Sequence, residues 1–471
     1  MTTAVVVGSG PNGLAAAVTL ASEGIDVRVV EATDTIGGGV RSAELTLPGL
    51  IHDECSGFHP LAVDTPFSRR FDLSRHGLTW KWPEIQYAHP LDHGGGAAAW
   101  QSVDRTAEAL GTDGRRWNAL FGSVTRQFED VVVDFLQPML HVPRHPMKLA
   151  GFGLRALSPA ALVSRLLCTD EGRALFAGVA AHAFRPFDKL ASSAIGIALG
   201  SAAHRYGWPV AEGGSSSIAR AMVSILDGFG AKIETGHTVR SLAELSGVDI
   251  VMLDVAPRAA VDIVGDAMPQ GIARAFRRYK HGPGSFKVEF AIEGGVPWTH
   301  EPSRSAGTIH LGGTAAEIVA NERDVHRGIM PERPFVLVGQ QSVADPSRAI
   351  GGVHPLYSYA HVPAGYTGDA TEAIESQIER FAPGFRERIV GRHVRSVRAM
   401  EDHNANYIGG DVVTGANSAF QLVFRPRPAI DPYKLGLPGV FLCSAATPPG
   451  AGAHGMCGYN AALSALSELR R

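Results

Sequence analysis

Cysteine is scarce in this 471-residue chain: Cys55, Cys168, Cys443 and Cys457 are the four, and none forms a C-x-x-C pair. That excludes a disulfide scaffold and a redox dithiol, and it fits reduced thiols and a cytoplasmic location. Lysine is rare too, seven of 43 basic residues, and the formal charge is −3 with no basic run. Bulk attraction to nucleic acid is therefore not expected. No apolar stretch approaches about 18 uninterrupted residues, so no transmembrane helix is expected. No basic segment and small-residue cleavage site precede the first apolar run, so no secretory leader is read. Also missing are a Walker motif and a nucleophile elbow, since "GGSSSIAR" lacks the glycine after serine. His89 and His93 of "HPLDH" fall in an expected hairpin turn, without the helical i, i+4 spacing of a zinc site, and no metal is expected. There is no internal repeat and no low-complexity linker. A composition of 45% apolar and 19% charged residues at this length predicts a globular chain of two domains.

What is abundant is glycine, and it clusters. Ala4 to Val7 is a continuous apolar run, as in a parallel strand buried on both faces. Gly8-Ser9-Gly10-Pro11-Asn12-Gly13 then fits G-x-G-x-x-G in a strand-to-helix context. Gly8 permits the tight turn, Gly10 lets backbone approach a pyrophosphate, and Gly13 lets the helix pack on the strand. The helix start supplies free N–H groups and partial positive charge to phosphates. Leu14, Ala17, Val18 and Ala21 form the apolar face, and Gly24 ends the helix. Val27 to Val30 reads as the next strand, ending in Glu31 and Ala32. Glu31 lies 18 residues beyond Gly13, where a carboxylate accepts hydrogen bonds from ribose hydroxyls. The whole unit predicts a bound dinucleotide.

Three further segments bear on which dinucleotide. "EATDTIGGGVRS" sets Gly37, Gly38 and Gly39 before Arg41, whose planar fork suits phosphate oxygens. "LPGVFLCSAATPPGAGAHGMCGYNAALSALSEL" reads as a strand Val440 to Cys443, a loop with Gly450, Gly452 and Gly455, and a helix from about Met456. Its backbone can lie against a flat ligand. "VAEGGSSSIARAMVSILDGFGAKIETGHTVRSL" combines a Gly-Gly turn, an amphipathic helix, a strand at Lys232 to Glu234 and a second short strand at Thr238 to Arg240. "VDIVMLDVAP" then reads as a buried strand ending near Asp254.

Together these segments resemble the phytoene desaturase-like branch of the FAD-dependent amine oxidase superfamily, and within it the pyridine nucleotide-disulfide oxidoreductase domain-containing protein 2 type. "GGDVVTGANSAFQLVFRPRP" followed by "GVFLCSAATPPGAGAHGMCGYNAA" is the most specific stretch, and "YAHPLDHGGGAAAWQSVDRTAEAL" resembles the strand–turn–strand–helix element of the same group. The resemblance implies FAD as cofactor. It assigns flavin contacts to Ala453, His454, Gly455 and Met456, and an adenine contact to the backbone of Val239. Thiol–disulfide chemistry does not carry over, because the redox C-x-x-C is missing. The implied fold is α/β: a discontinuous Rossmann-like FAD-binding domain from 1–85, 205–265 and 432–471, with a mixed sheet-plus-helix substrate domain from 86–204 and 266–431. That second domain includes a helical insertion at about 102–204. "GSFKVEFAIEG" and "PFVLVGQQSV" read as its strands, and "ATEAIESQIERFAPGF" as a helix ended by Pro383-Gly384.

The expected function is oxidation of a hydrophobic, isoprenoid- or lipid-like substrate by hydride transfer to FAD, with the interdomain cleft as ligand site. An amine oxidase using O2 is one alternative. A redox-neutral isomerase, or a flavoprotein acting through partners, is the other. His454 is the first candidate for catalysis, polarising the flavin edge or moving a proton, with capping of its own loop as the other reading. Cys55 and His59, in "HDECSGFHPLA", are candidates because that segment follows the Arg41 turn. Tyr407, Phe420 and Phe424 are candidates for an apolar substrate channel, with ordinary core as the other reading, and Arg425 and Arg427, beside Pro426 and Pro428, for a polar substrate end, with a solvated loop as the other reading. Residues 141–167 carry Arg144, Lys148, Arg155 and Arg165 among apolar residues with no acid. Such a stretch can lie on an anionic membrane surface, form a lid, or make a subunit contact.

Overall fold

The computed structural model describes residues 2–92 and 94–470, so His93 lies outside the described residues. Thr3–Val7 is the middle strand of a five-stranded parallel sheet, in the order 440–442, 250–253, 3–7, 26–30, 232–234. Strand order reverses at 3–7, so the crevice beyond the carboxyl ends of 3–7 and 250–253 is where such a sheet binds ligands. Val7 and Leu253 are paired there, which sets Gly8 beside Asp254. The strand Asp26–Val30 follows from the helix Pro11–Ala21, which has proline in its first turn and almost no exposed residue.

That helix packs against Met456–Leu469 and Ser216–Gly228. All three are rich in small residues where they meet. A Cβ on Gly458 would lie 1.7 Å from the Asn12 carbonyl oxygen. The two ends of the chain are thus held in backbone contact.

The second sheet has seven strands, in the order 389–395, 284–293, 353–362, 336–339, 306–311, 85–90, 96–100. Its pairings are antiparallel except for 306–311 with 85–90. Helices from Val103–Ala109 to Ala194–Tyr206 fill the stretch between strand 96–100 and the return to the first sheet. The helix Thr371–Phe381 covers the other side, with Ile374, Ile378 and Phe381 in the core of this sheet. Among the described residues, no helix is long and apolar enough to cross a membrane.

Three local expectations are corrected. Thr238 to Arg240 is not a strand: 232–234 is already the sheet edge, and the chain turns back so that the His237 N–H donates to the Glu31 carbonyl. His89 belongs to the strand Ile85–Pro90 and not to the turn, and its ring Nε2 lies 2.7 Å from the Gly313 carbonyl oxygen. "PFVLVGQQSV" is a strand only over Val336–Gly339 and then becomes the short helix Gln341–Ala344.

Candidate functional site

One cavity of about 1120 Å³ joins the two sheets. Single small-molecule sites span about 300–1,000 Å³, so there is room for an extended nucleotide and a second ligand. Gly8, Gly10, Pro11 and Asn12 line one end together with Glu31, Ala32, Gly38, Gly39, Arg41 and Val239. The carboxy-terminal loop contributes Ser444, Ala453 and His454. Phe152, Phe184, Ile195, Tyr357 and Tyr359 belong to the apolar remainder of the wall.

The glycine-lined end is built on close backbone approach. Gly38 stands with its Cα side against Gly10, where a Cβ would come within 2.9 Å of the Gly10 Cα, and its φ is +51°. A Cβ on Gly13 would lie 2.1 Å from the Gly8 carbonyl oxygen, so the helix presses on the turn. Ser9 and Gly13 lie behind the lining. Ser9 donates to Glu31 from its N–H at 2.9 Å and from its hydroxyl at 2.6 Å, while Thr33 donates to the other carboxylate oxygen at 3.0 and 2.9 Å. Burial works to raise the Glu31 carboxyl, but these bonds outweigh it and hold it below its ordinary value. Glu31 is therefore an ionised acceptor on the cavity wall.

Arg41 is buried and braced by backbone. Its Nε donates to the Gly38 carbonyl at 3.0 Å and its Nη2 to the His403 carbonyl at 2.7 Å. Asn12 Oδ1 is buried without a hydrogen-bond partner among the described residues, an acceptor left open at the wall. These features fit a dinucleotide: a glycine cradle at a helix start, a carboxylate whose oxygens take two donors each from Ser9 and Thr33, and a guanidinium with donors to spare.

Asp254, legible in the sequence only as the end of a buried strand, also stands at this end. Its carboxylate accepts from the Gly13 N–H at 2.9 Å and stands directly beneath Gly10. Burial pushes it up to about 7, with Glu31 nearby acting in the same direction. The signal was available: a polar residue directly after four buried apolar ones, at the carboxyl end of a central strand.

The catalytic candidates hold quieter positions. His454 lines the cavity, but its Nδ1 accepts the Met456 N–H at 3.1 Å, which caps the helix Met456–Leu469, and burial pushes the ring down to about 4. Gly455 and Met456 lie behind the loop, Gly455 against Ala15 and Met456 in the core. His59 lines the cavity with Nε2 2.9 Å from the Ser215 hydroxyl, and burial pushes it down to about 4. Burial raises the Cys55 thiol, so it stays protonated. Tyr407 is buried on the wall, where its hydroxyl is the atom that a Cβ on Gly39 would meet, at 2.5 Å. Phe420 and Phe424 do not line the cavity. Their rings pair 5.2 Å apart on and just after the helix Ala419–Val423, with Phe420 turned outward to 59% exposure. Arg425 is buried on the wall, whereas Arg427 is not part of it.

Other polar groups meet only in the fold. Lys287 donates to the Asp53 carbonyl at 3.1 Å, contacts Glu289, and lies 3.6 Å above the ring of Tyr357. Burial lowers its amine well below the ordinary lysine value. His182, on the wall, has Nε2 2.9 Å from Nε2 of the buried His310, and burial pushes His182 down to about 3. One ring must donate and the other accept, so a neutral pair stands behind the apolar wall.

Known proteins share the fold that carries this cavity. Residues 6–69 match the model of an NAD(P)-binding Rossmann-like domain. Along 99% of its length the chain is 23% identical to the pyridine nucleotide-disulfide oxidoreductase domain-containing protein 2 of Rattus norvegicus, covering 94% of that protein. Among solved structures it shares the fold of putrescine oxidase bound to putrescine, with TM-score 0.61 and 16% identity over all of this chain and 99% of that one. It likewise shares that of cyclohexylamine oxidase from Brevibacterium oxydans IH-35A, with TM-score 0.58 and 18% identity over 100% and 99%.

Proposed function

We propose that this chain is an FAD-dependent oxidoreductase that dehydrogenates a largely apolar organic substrate. The observation that carries the reading is the single cavity continuing from the glycine cradle into the apolar pocket. When bound, FAD supplies a two-electron acceptor that takes a hydride from a substrate C–H bond. Gly8, Gly10 and the start of the helix Pro11–Ala21 would hold its diphosphate, Glu31 its ribose and Val239 its adenine. Arg41 would add charge-assisted bonds. Ala453 and His454 would face the flavin, with His454 fixing the loop through its cap on Met456. The side chains of Phe152, Phe184, Tyr357 and Tyr359 exclude water and orient the substrate, and Lys287 supports Tyr357 from behind. Purified protein should be yellow, should release FAD on denaturation, and should bleach anaerobically with its substrate. Colourless protein that stays so after incubation with FAD would sink the reading.

The likeness to putrescine and cyclohexylamine oxidases favours a second reading, oxidation of an amine with O2. Against it, the carboxylates that line the cavity among the described residues are Glu31, Asp254, Asp262 and Asp402, while Glu322, the acid behind Phe184, stands back from the lining and is bonded to His361 Nδ1 at 2.6 Å. Peroxide release with aliphatic amines separates the two.

The substrate's route in is part of the same proposal. Met147, Leu154, Leu157, Leu162 and Leu166 are all more than half exposed on the helices Pro146–Ala156 and Ala160–Ser164 and the turns after them. Leu149, Gly153 and Leu157 of this region also line the cavity. Arg144 and Arg165 are exposed beside them, and residues 141–167 hold no acid. An anionic bilayer complements that charge, whereas a two-fold contact with a second copy would set like charges against each other. Vesicles with anionic lipid should sediment the protein and neutral vesicles should not.

A further inference from the structure

Four arginines are buried among the described residues: Arg41, Arg348, Arg395 and Arg425. Arg348 is paired with Asp53 at 2.8 Å, and Arg395 with Glu54 at 2.8 Å. Arg41 and Arg425 have no carboxylate within ion-pair distance among the described residues, and these two line the cavity. A buried guanidinium cannot shed its proton, and its burial is costly unless a counter-charge meets it. The nucleotide proposed above accounts for Arg41. It leaves Arg425 open.

Arg425 is only 2% exposed, so bulk water does not compensate it. Its Nε donates to the Gln421 carbonyl at 3.1 Å, its Nη2 to Asn417 Oδ1 at 3.2 Å, and its Nη1 to the Ala445 carbonyl at 3.4 Å. Those are three neutral acceptors for five N–H groups, and two donors remain. Asn417, itself on the wall, donates to the Ala183 carbonyl at 3.1 Å, which ties the pair to Phe184 at the apolar end. Gly450 keeps the space beside the guanidinium free: a Cβ there would lie 2.4 Å from Nη1. The fork is thus fixed from three sides and kept clear on a fourth.

We infer that Arg425 is the counter-ion for an anionic oxygen group, a carboxylate or a phosphate, at one end of an otherwise apolar substrate. The inference rests on reading the cavity as a substrate site, but it is tested by binding and needs no turnover. FAD-loaded protein is titrated calorimetrically with decanoate, methyl decanoate, decyl phosphate and decanol. Each anion should bind about tenfold to a hundredfold more tightly than its neutral counterpart, the range of one charge-assisted fork. Arg425→Gln should reduce the preference to about twofold or less, and Arg425→Lys should keep part of it, having the charge without the fork. FAD affinity of Arg425→Gln, followed by flavin fluorescence, should stay within about twofold, because the phosphates of FAD have other partners. Equal binding of anion and neutral ligand by the wild type, or binding of none of the four, overturns the inference, even if the glutamine variant does not fold. Loss of FAD affinity in Arg425→Gln with anion preference intact would assign the guanidinium to the nucleotide and overturn it too. If the chain never takes up FAD, the same titration is run on the protein as purified, and selective anion binding there sustains the inference while removing the oxidoreductase reading.

Discussion

Asp254 shows how much one side chain can do beneath a glycine turn. Its acid is held up at about 7 against an ordinary 3.8, so the folded state keeps a proton that the unfolded chain loses first. A group raised in this way contributes stability that declines as pH rises from about 4 and is gone above about 7, on the order of 4 kcal/mol at most. Asp254→Asn should abolish that decline, measured as chemical denaturation at pH 5 and pH 8. The same charge repels a diphosphate, so FAD affinity of the wild type should fall about threefold to tenfold between pH 6 and 8.5, and in Asp254→Asn it should stay flat. A wild-type affinity that does not change over that interval would contradict this. Glu31 behaves oppositely. Bonded to Ser9 and Thr33 and held ionised, it should lose about 1–2 kcal/mol of FAD binding as Glu31→Gln, with little effect of pH above 5.

Elements meet here through their smallest residues. The helices Pro11–Ala21 and Met456–Leu469 cross at Gly458, with the Asn12 carbonyl where a methyl group would sit. Gly458→Ala forces backbone apart and should cost about 3 kcal/mol or more in unfolding free energy, whereas Gly24→Ala, with nothing within 4 Å but φ at +78°, should cost about 1 kcal/mol. On the outer helices, Met147→Glu with Leu154→Glu should remove sedimentation with anionic vesicles and leave thermal stability within about 1 kcal/mol, since both side chains are exposed. Retained sedimentation would show that another face docks.

At the scale of the whole molecule, local chemistry proved easy to read and long-range chemistry did not. Gly8, Gly10 and Glu31 were legible because strand, turn, helix and strand follow one another in sequence, and Arg41 because a second glycine-rich turn precedes it; all four line one cavity end. Lys287 was not. In "GSFKVEF" a period-two reading turns Lys287 and Glu289 toward water, but the strand Gly284–Glu293 is covered on both faces and that side meets Asp53 and Tyr357. His182 and His310 are 128 residues apart and meet only where the insertion packs on the second sheet. Phe420 misled for the opposite reason: an aromatic residue read as channel lining sits on a short exposed helix. FAD at about a thousandfold above its dissociation constant should stabilise the protein by roughly 4 kcal/mol, read as a rise in melting temperature on titration.

Gly458 resting on Asn12 has a further meaning for biogenesis. The ribosome makes the turn at residues 8–13 long before the strand Val440–Leu442, so for that interval the early glycines have nothing to close upon. A chain cut short before Val440 would hold finished helices but lack the carboxy-terminal wall of the cavity, and its uncovered apolar surface would draw chaperones.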